Sequence, residues 1–287
     1  MRLRIATCRE LPEPDPDEVP LAEALAAAGF DAAPVAWDDP AADWDAPIPT
    51  IVRTTWNYAQ HLDAFLGWLA RAAAAAPLWN PLEVCRGNVH KRYLLELAAR
   101  GVPIVPTTLV PRGGTADLPA IAAALGAARL VIKPEVGCAS QGAAVFAPAD
   151  PAAARHLAAL TARGAALVQP YVRSVDDHGE RSLVWIDGAL SHAIRKTPRF
   201  AGDAEQITGP FEIAEDERAV ALAALAPYGD LLYARVDVAR DDAGRPRVME
   251  LELIEPSLYF AHRPGSAARF ARGLARRLAG PLQDPPI

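Results

Sequence analysis

Between Tyr233 and Leu253 the chain alternates with a period of two, and only one side of that alternation carries charge. In Tyr233-Ala-Arg-Val-Asp237, Ala234 and Val236 fall on one face, continued by Val238, while Arg235 and Asp237 fall on the other. In Met249-Glu-Leu-Glu-Leu253, Glu250 and Glu252 alternate with Met249, Leu251 and Leu253. A period of two marks a strand with one buried face, and the turn residues Asp242 to Gly244 join strands 232–240 and 247–253 into a hairpin. An even-length turn pairs Arg235 with Glu250 and makes Asp237 and Glu250 diagonal neighbours about 7–8 Å apart. Arg235, Asp237, Glu250 and Glu252 then share one face. Three carboxylates so close need a compensating cation or a shared proton. Hard oxygen donors suit Mg²⁺, which typically bridges protein carboxylates to phosphates; the alternative is the solvated side of an antiparallel sheet.

The remaining pattern is that of an α/β protein. Strands over 3–6, 33–36 and 48–53 alternate with helices over 19–29 and 59–75, which implies a small parallel lobe. The strand ends of such a lobe face a cleft. Asn88 is expected to cap a helix through Arg100, with Gly101 past its end and Pro103 as a stop. Strands follow over 107–110, 129–133, 143–146 and 166–169, with helices over 118–125 and 151–163. A second hairpin, 182–186 with 190–195, turns at Asp187-Gly188, and a basic amphipathic helix over 267–278 closes the chain. At about 100–200 residues per domain, the 287 residues divide into lobes 1–87, 88–172 and 173–287.

Several functions drop out on composition. The 29 basic and 35 acidic residues give a net charge of −6, without the basic footprint of a nucleic-acid binder. No run of about 18 apolar residues is present, so a membrane span is not expected. Cys8, Cys85 and Cys138 are odd in number and far apart, which fits a reducing cytoplasm and excludes a four-cysteine zinc site. The six histidines show neither metal spacing nor a nucleophile elbow, so zinc sites and hydrolytic triads drop out as well.

A second segment, Leu130-Val-Ile-Lys133-Pro-Glu-Val-Gly137-Cys-Ala-Ser140-Gln-Gly142, places a lysine at a strand end before a small-residue loop. Backbone N–H groups and a point charge in that arrangement hold phosphate oxygens. An exposed strand-end lysine is the plainer alternative. Cys138 has no sequence partner that marks it as a nucleophile and reads as loop filler.

Taken in order, these segments resemble the ATP-grasp superfamily, in its glutathione synthetase-like branch, over nearly the whole chain. Asn88-Val-His-Lys91 resembles the entry helix, and Lys91 is thereby implied to meet phosphate. Val131-Ile-Lys133-Pro resembles the strand whose lysine contacts the α- and β-phosphates, with Ser140 in the covering loop. Val168-Gln169-Pro170-Tyr171-Val172 resembles the adenine hinge, although Gln169 stands where an acid is usual. Gly179-Glu180 matches the position whose acid takes the ribose hydroxyls. Asp237, Glu250 and Glu252 fall on the magnesium triad, with Glu252 where Asn is frequent, and Arg235 on the phosphate-binding arginine. The resemblance therefore implies ATP and Mg²⁺ as cofactors. It also implies an N-terminal substrate lobe, a central lid subdomain with the phosphate loop, and a C-terminal subdomain carrying the metal site.

Members of this superfamily phosphorylate a carboxylate and let an amine attack the acyl phosphate. Arg195 and Lys196 end a strand where γ-phosphate contacts are frequent, or where a solvated strand end would lie. The acid itself is expected at Arg53-Thr54-Thr-Trp56-Asn57-Tyr58, where Arg53 can pair bidentately with a carboxylate and Thr54 and Asn57 can hydrogen-bond. Trp56 and Tyr58 either contact substrate or pack. This segment and Met249-Glu-Leu-Glu-Leu-Ile-Glu-Pro-Ser257 resemble the subgroup that includes the cycloserine-forming O-ureidoserine cyclo-ligase, in which an internal aminooxy nitrogen closes a ring. The expectation is an ADP-forming ligase for a small amino-acid-type acid. Joining two molecules, a peptide acceptor, a homodimer and a non-catalytic nucleotide-binding regulator remain alternatives.

Overall fold

The computed structural model describes residues 1–138, 141–197 and 206–279. The N-terminal elements are β1 (Arg2–Thr7), α1 (Glu18–Ala27), β2 (Asp31–Ala36), β3 (Thr50–Thr54), α2 (Leu62–Ala75) and β4 (Leu78–Trp79). They form an all-parallel sheet in the order β2-β1-β3-β4, as helical crossovers require. Trp37, Phe65 and Trp68 pack edge and face under this sheet. Helices α3 (Leu82–Asn88) and α4 (Tyr93–Ala99) lead out of it. The single helix expected over 88–100 is thus broken, and Asn88 closes α3 instead of capping α4. Its amide is spent on tertiary bonds, donating to the Leu251 carbonyl at 2.9 Å and accepting from the Leu253 N–H at 2.8 Å.

The next sheet comprises β5 (Thr108–Val110), α5 (Leu118–Leu125), β6 (Leu130–Pro134), β7 (Ala144–Phe146), α6 (Pro151–Thr161) and β8 (Ala166–Pro170). Its strands run antiparallel in the order β5-β8-β6-β7, and α5 and α6 cover the face bearing Leu130, Ile132 and Val168. Alternation turns Val131, Lys133 and Gln169 to the opposite face, with Val131 directly across from Gln169.

The last sheet contains β9 (Glu180–Ile186), β10 (Ala189–Lys196), β11 (Ile207–Phe211), β12 (Tyr233–Arg240) and β13 (Pro246–Glu252), with α7 (Glu215–Leu225) and α8 (Ser266–Ala279) packed on it. The order is β11-β10-β9-β12-β13, antiparallel throughout. Both expected hairpins are present; β11 and α7 were not anticipated. The register of β12 on β13 also differs from expectation. Glu250 lies opposite Asp237 and Glu252 opposite Arg235, because a bulge between Val238 and Asp237 admits Met249 as an extra residue. Such bulges re-aim side chains without ending the pairing. Here the bulge keeps all four charges on one face.

Buried polar bonds fix the N-terminal sheet against this one. The Tyr233 hydroxyl lies 2.7, 2.9 and 2.8 Å from the carbonyl oxygens of Val52, Trp79 and Ile254. The Asn80 amide donates to the carbonyls of Tyr233 and Leu253 at 2.8 and 2.7 Å. Among the described residues no helix is long and apolar enough to cross a membrane.

Candidate active site

A cleft runs between the inner faces of the second and third sheets and is closed at one end by the N-terminal lobe. Its floor is the charged face of β12 and β13. Arg235 holds Asp237 in a fork, Nε to Oδ1 and Nη2 to Oδ2, each at 2.9 Å, and Nη2 also bonds Glu252 Oε1. Lys196 Nζ sits between Asp237 Oδ2 at 2.8 Å and Glu180 Oε1 at 2.5 Å. From the other wall Lys91 Nζ reaches Glu250 Oε1 at 3.0 Å and the Gly137 carbonyl. The loop start is pinned there because Glu135 takes a two-pronged contact from Arg92, while its carbonyl accepts the Lys91 N–H at 3.0 Å. Lys133 lines the same wall with no ion pair among the described residues.

The electrostatics follow from burial and pairing. Burial alone would raise the Asp237 carboxyl, but Arg235 and Lys196 hold it well below the carboxylate range. Glu250 is likewise lowered against burial by Lys91 and Lys133. Glu252 goes the other way, pushed up to about 7 by burial with Asp237 and Glu250 beside it. Glu180 rises to about 7, burial and Asp237 outweighing Lys196. Burial pushes the Lys133 ammonium down, and Lys91 adds to the effect. Cations poised for phosphate thus face an excess of carboxylate.

That excess bears on the metal. The donor set is carboxylate oxygen throughout, which suits Mg²⁺. Both Asp237 oxygens are engaged by Arg235 and Lys196, whereas Glu250 and Glu252 are held through Oε1 and are each 28% exposed. Among the described residues no three acids converge on one point. The three carboxylates line one cleft and fit a cation that arrives with phosphate oxygens to complete its shell.

Other expected positions stand as follows. Gln169 is buried and donates to Thr107 Oγ1 at 2.8 Å, while Tyr171 and Val172 line the cleft. The Tyr171 N–H is spent on the Arg129 carbonyl at 2.9 Å, and the ring lies 3.8 Å from the Arg129 guanidinium. Ser140 lies outside the described residues.

Arg195 is a correction. Alternation along β10 turns it away from Lys196, so it misses the cleft and donates to the Asp177 carbonyl. Its side chain crosses Gly179, where a Cβ would come within 2.6 Å of it. The acid-binding trio is a second correction. Arg53 is 1% exposed and pairs with Asp17, Thr54 Oγ1 donates to Thr7 Oγ1 at 2.7 Å, and Asn57 bridges Trp37 and Asp38. None of the three lines the cleft.

The residues that do close that end are Glu13, Trp56, Tyr58, Cys138, Glu255, Ser257 and Tyr259. Trp56 Nε1 donates to the Glu255 carbonyl at 3.1 Å, and Cys138 Sγ donates to the Trp56 carbonyl at 2.8 Å. Burial pushes the Cys138 thiol up to about 12, so it stays protonated. Glu255 follows the last strand residue by three positions, outside the period-two pattern; the one signal for it was its place in the run ending at Ser257.

Comparison with known proteins points to one family. The model for the N-terminal domain of D-cycloserine synthetase DcsG matches residues 3–80. The cycloserine biosynthesis protein DcsG of Streptomyces lavendulae is 39% identical over 284 residues, 92% of this chain and 94% of that protein. The crystal structure of D-cycloserine synthetase DcsG has a TM-score of 0.88 at 36% identity, covering 97% of this chain and 100% of its own. A RimK domain ATP-grasp protein from Sphaerobacter thermophilus shares the fold, with a TM-score of 0.68 at 19% identity over 96% and 100% of the two chains. On this likeness the chain belongs to the cycloserine synthetase family of ATP-grasp ligases, ATP-dependent enzymes that form a carbon–nitrogen bond and release ADP.

Proposed function

We propose that this ligase closes a small amino acid onto itself: it phosphorylates the carboxylate of an O-ureidoserine-type acid and forms the cycloserine ring. The observation that carries the reading is the likeness to the cycloserine synthetase across nearly the whole of both chains, including the segments that line the cleft.

The cleft residues divide the work. Lys91 and Lys133, on one wall, are suited to the nucleotide phosphates, and Glu180 to the ribose hydroxyls. Lys196 and Arg235, on the floor, offset charge on the phosphoryl group in transfer; positioning and such electrostatic stabilisation supply most of the catalysis in reactions of this type. Glu250 and Glu252, with Asp237 held between its cations, would bind Mg²⁺, which lowers the charge on the phosphates when present. A carboxylate oxygen of the substrate attacks the γ-phosphorus and the bond to ADP breaks. The internal nitrogen then attacks the acyl carbon, phosphate leaves, and the nitrogen gives up its proton; the carbamoyl group still on that nitrogen is then removed by water as carbon dioxide and ammonia, which gives cycloserine. We place the reaction in the cytoplasm, with small-molecule rather than nucleic-acid or membrane partners. Three unpaired cysteines, two of them buried, and a net charge of −6 support this.

An isotope experiment tests the reaction. With ¹⁸O in the substrate carboxylate, the products should be ADP and phosphate carrying one ¹⁸O, with no second substrate required. The ring-closing step removes one water from the acid. AMP with pyrophosphate would defeat the acyl phosphate. A strict need for a separate amine would replace cyclisation by intermolecular ligation.

A further inference from the structure

We propose that Glu255 is the residue that receives the ammonium group of the amino-acid substrate, a specificity role that rests on the ligase reading above. Six acids line the cleft, Glu13, Glu180, Asp237, Glu250, Glu252 and Glu255, and four of them sit in ion pairs. Glu180 is paired with Lys196, Asp237 with Arg235 and Lys196, Glu250 with Lys91, and Glu252 with Arg235. Glu255 is only 8% exposed and lines the cleft, yet among the described residues its carboxylate forms no ion pair and no hydrogen bond. Its one bond is through the backbone carbonyl, to Trp56.

An unpartnered buried carboxylate is costly, and the usual remedy is a charge partner. The nearby cations are already committed, Lys91 to Glu250 and Arg235 to Asp237 and Glu252. Among the described residues Glu255 thus has no charge partner, which leaves room for one carried by the substrate. A divalent ion would need several oxygen ligands around it, and among the described residues no three acids converge on one point. Glu255 instead shares its end of the cleft with Trp56, Tyr58 and the protonated thiol of Cys138. Glu13 also lines this end, and aromatic walls beside carboxylates favour an organic ammonium, which can bond one anion and gains from π faces.

The position is held, not incidental. Pro256 follows Glu255, the Ser257 carbonyl accepts from Arg235 Nη1 at 3.3 Å, and the Leu258 and Phe260 N–H groups both bond Asp17. Arg235 thus touches both the acids of the floor and the loop that carries Glu255. A substrate whose ammonium meets Glu255 is held by the same α-carbon that carries the carboxylate to be phosphorylated. An acid lacking the ammonium leaves Glu255 buried and unpaired, and sites built that way reject such analogues strongly.

The test compares wild type with Glu255→Gln and Glu255→Asp, using O-ureidoserine and its analogue with hydrogen in place of the amino group. Glu255→Gln should raise KM for the amino acid by roughly 10- to 100-fold, the range for a lost charge-assisted bond, and leave KM for ATP within about twofold. Its thermal midpoint should equal or exceed that of wild type, because a carboxyl that is costly to bury without a partner has gone. Wild type should prefer the amino acid over the analogue by a similar factor; Glu255→Gln should lose that preference and Glu255→Asp should recover part of it. Unchanged KM and unchanged preference in Glu255→Gln, with wild type still forming ADP, would overturn the role and leave the ligase reading standing. A fall in kcat at constant KM would also overturn it, pointing to a base. Wild type that forms ADP only with acids lacking the amino group would overturn both.

Discussion

Arg53 Nη2 lies 3.1 Å from Asp17 Oδ2, with the two side chains 1% and 0% exposed. The same carboxylate accepts the backbone N–H groups of Leu258 and Phe260. One buried acid thereby ties β3 to the loop that brings Glu255, Ser257 and Tyr259 into the cleft. The Arg53 guanidinium also lies 5.5 Å from the centre of the Tyr233 ring, whose hydroxyl meets Val52, Trp79 and Ile254. Arg53 lies outside the cleft lining and is linked to it through this chain of contacts.

Removing one member of a buried pair leaves the other charge uncompensated, typically at about 3–5 kcal/mol. Arg53→Met should lower unfolding free energy by an amount of that order, measured by urea denaturation without ligands. If Arg53 held the substrate carboxylate directly, the variant would unfold like wild type and show only a raised KM. That result would restore the role expected from sequence.

Glu250→Gln tests the metal site. The amide keeps the size and can still accept from Lys91, so the fold should survive, with an unchanged circular dichroism spectrum. Carboxylate charge on the bound cation is lost, so most ATP turnover should go and the Mg²⁺ requirement should move to higher concentration. Unchanged kinetics and Mg²⁺ dependence would remove Glu250 from the ligands.

For the nucleotide, Lys91→Met and Lys133→Met should weaken ATP far more than adenosine, which lacks the charge the lysines neutralise. Lys133 gives the cleaner result, because Lys91 also balances Glu250. Glu180→Ala should weaken ATP but not its 2′,3′-dideoxy analogue. Equal losses for ATP and adenosine, read by calorimetry, would instead indicate a folding defect.

Local patterns made much of this legible. The period-two runs gave both hairpins, and the order of Lys91, Lys133, Gln169, Glu180 and the β12–β13 acids pointed to a nucleotide cleft. What stayed hidden depended on partners distant in sequence. Nothing near Arg53 announces that its counter-ion is Asp17, or that Asp17 is itself held by residues beyond 250. The bulge at Met249 is equally silent, since an apolar residue there suits a strand in either register. Strand β11 contains Gly209-Pro210, poor strand formers recruited by pairing with β10. Helix α7 did carry a signal, three acids in its first turn before an apolar run, and Glu217 there accepts the Ala214 N–H at 3.2 Å. Arg195 beside Lys196 shows the opposite error: adjacent strand residues face opposite ways, so both could not serve one site.

His192 supplies a pH dependence with a definite sign. It is 3% exposed, its Nδ1 lies 3.1 Å from Ser191 Oγ, and its Nε2 has no partner among the described residues. Burial lowers its pKa from 6.5 to about 4, against small opposing contributions from the Leu258 and Tyr259 backbone. The unfolded chain therefore binds the proton more readily than the folded one between those values. Stability from this group is complete above pH 6.5 and is lost as pH falls towards 4, by on the order of 3 kcal/mol in all. Glu180, Glu252 and Glu255, whose carboxyls burial raises to about 7, 7 and 8, act in the opposite sense, costing stability as pH rises from 4.5. The raw curve mixes both, so the informative quantity is the difference between wild type and His192→Leu. Urea unfolding at pH 7.5 and pH 4.5 should show the variant gaining on wild type as the pH drops. A constant difference across that range would mean that His192 protonates freely in the folded protein.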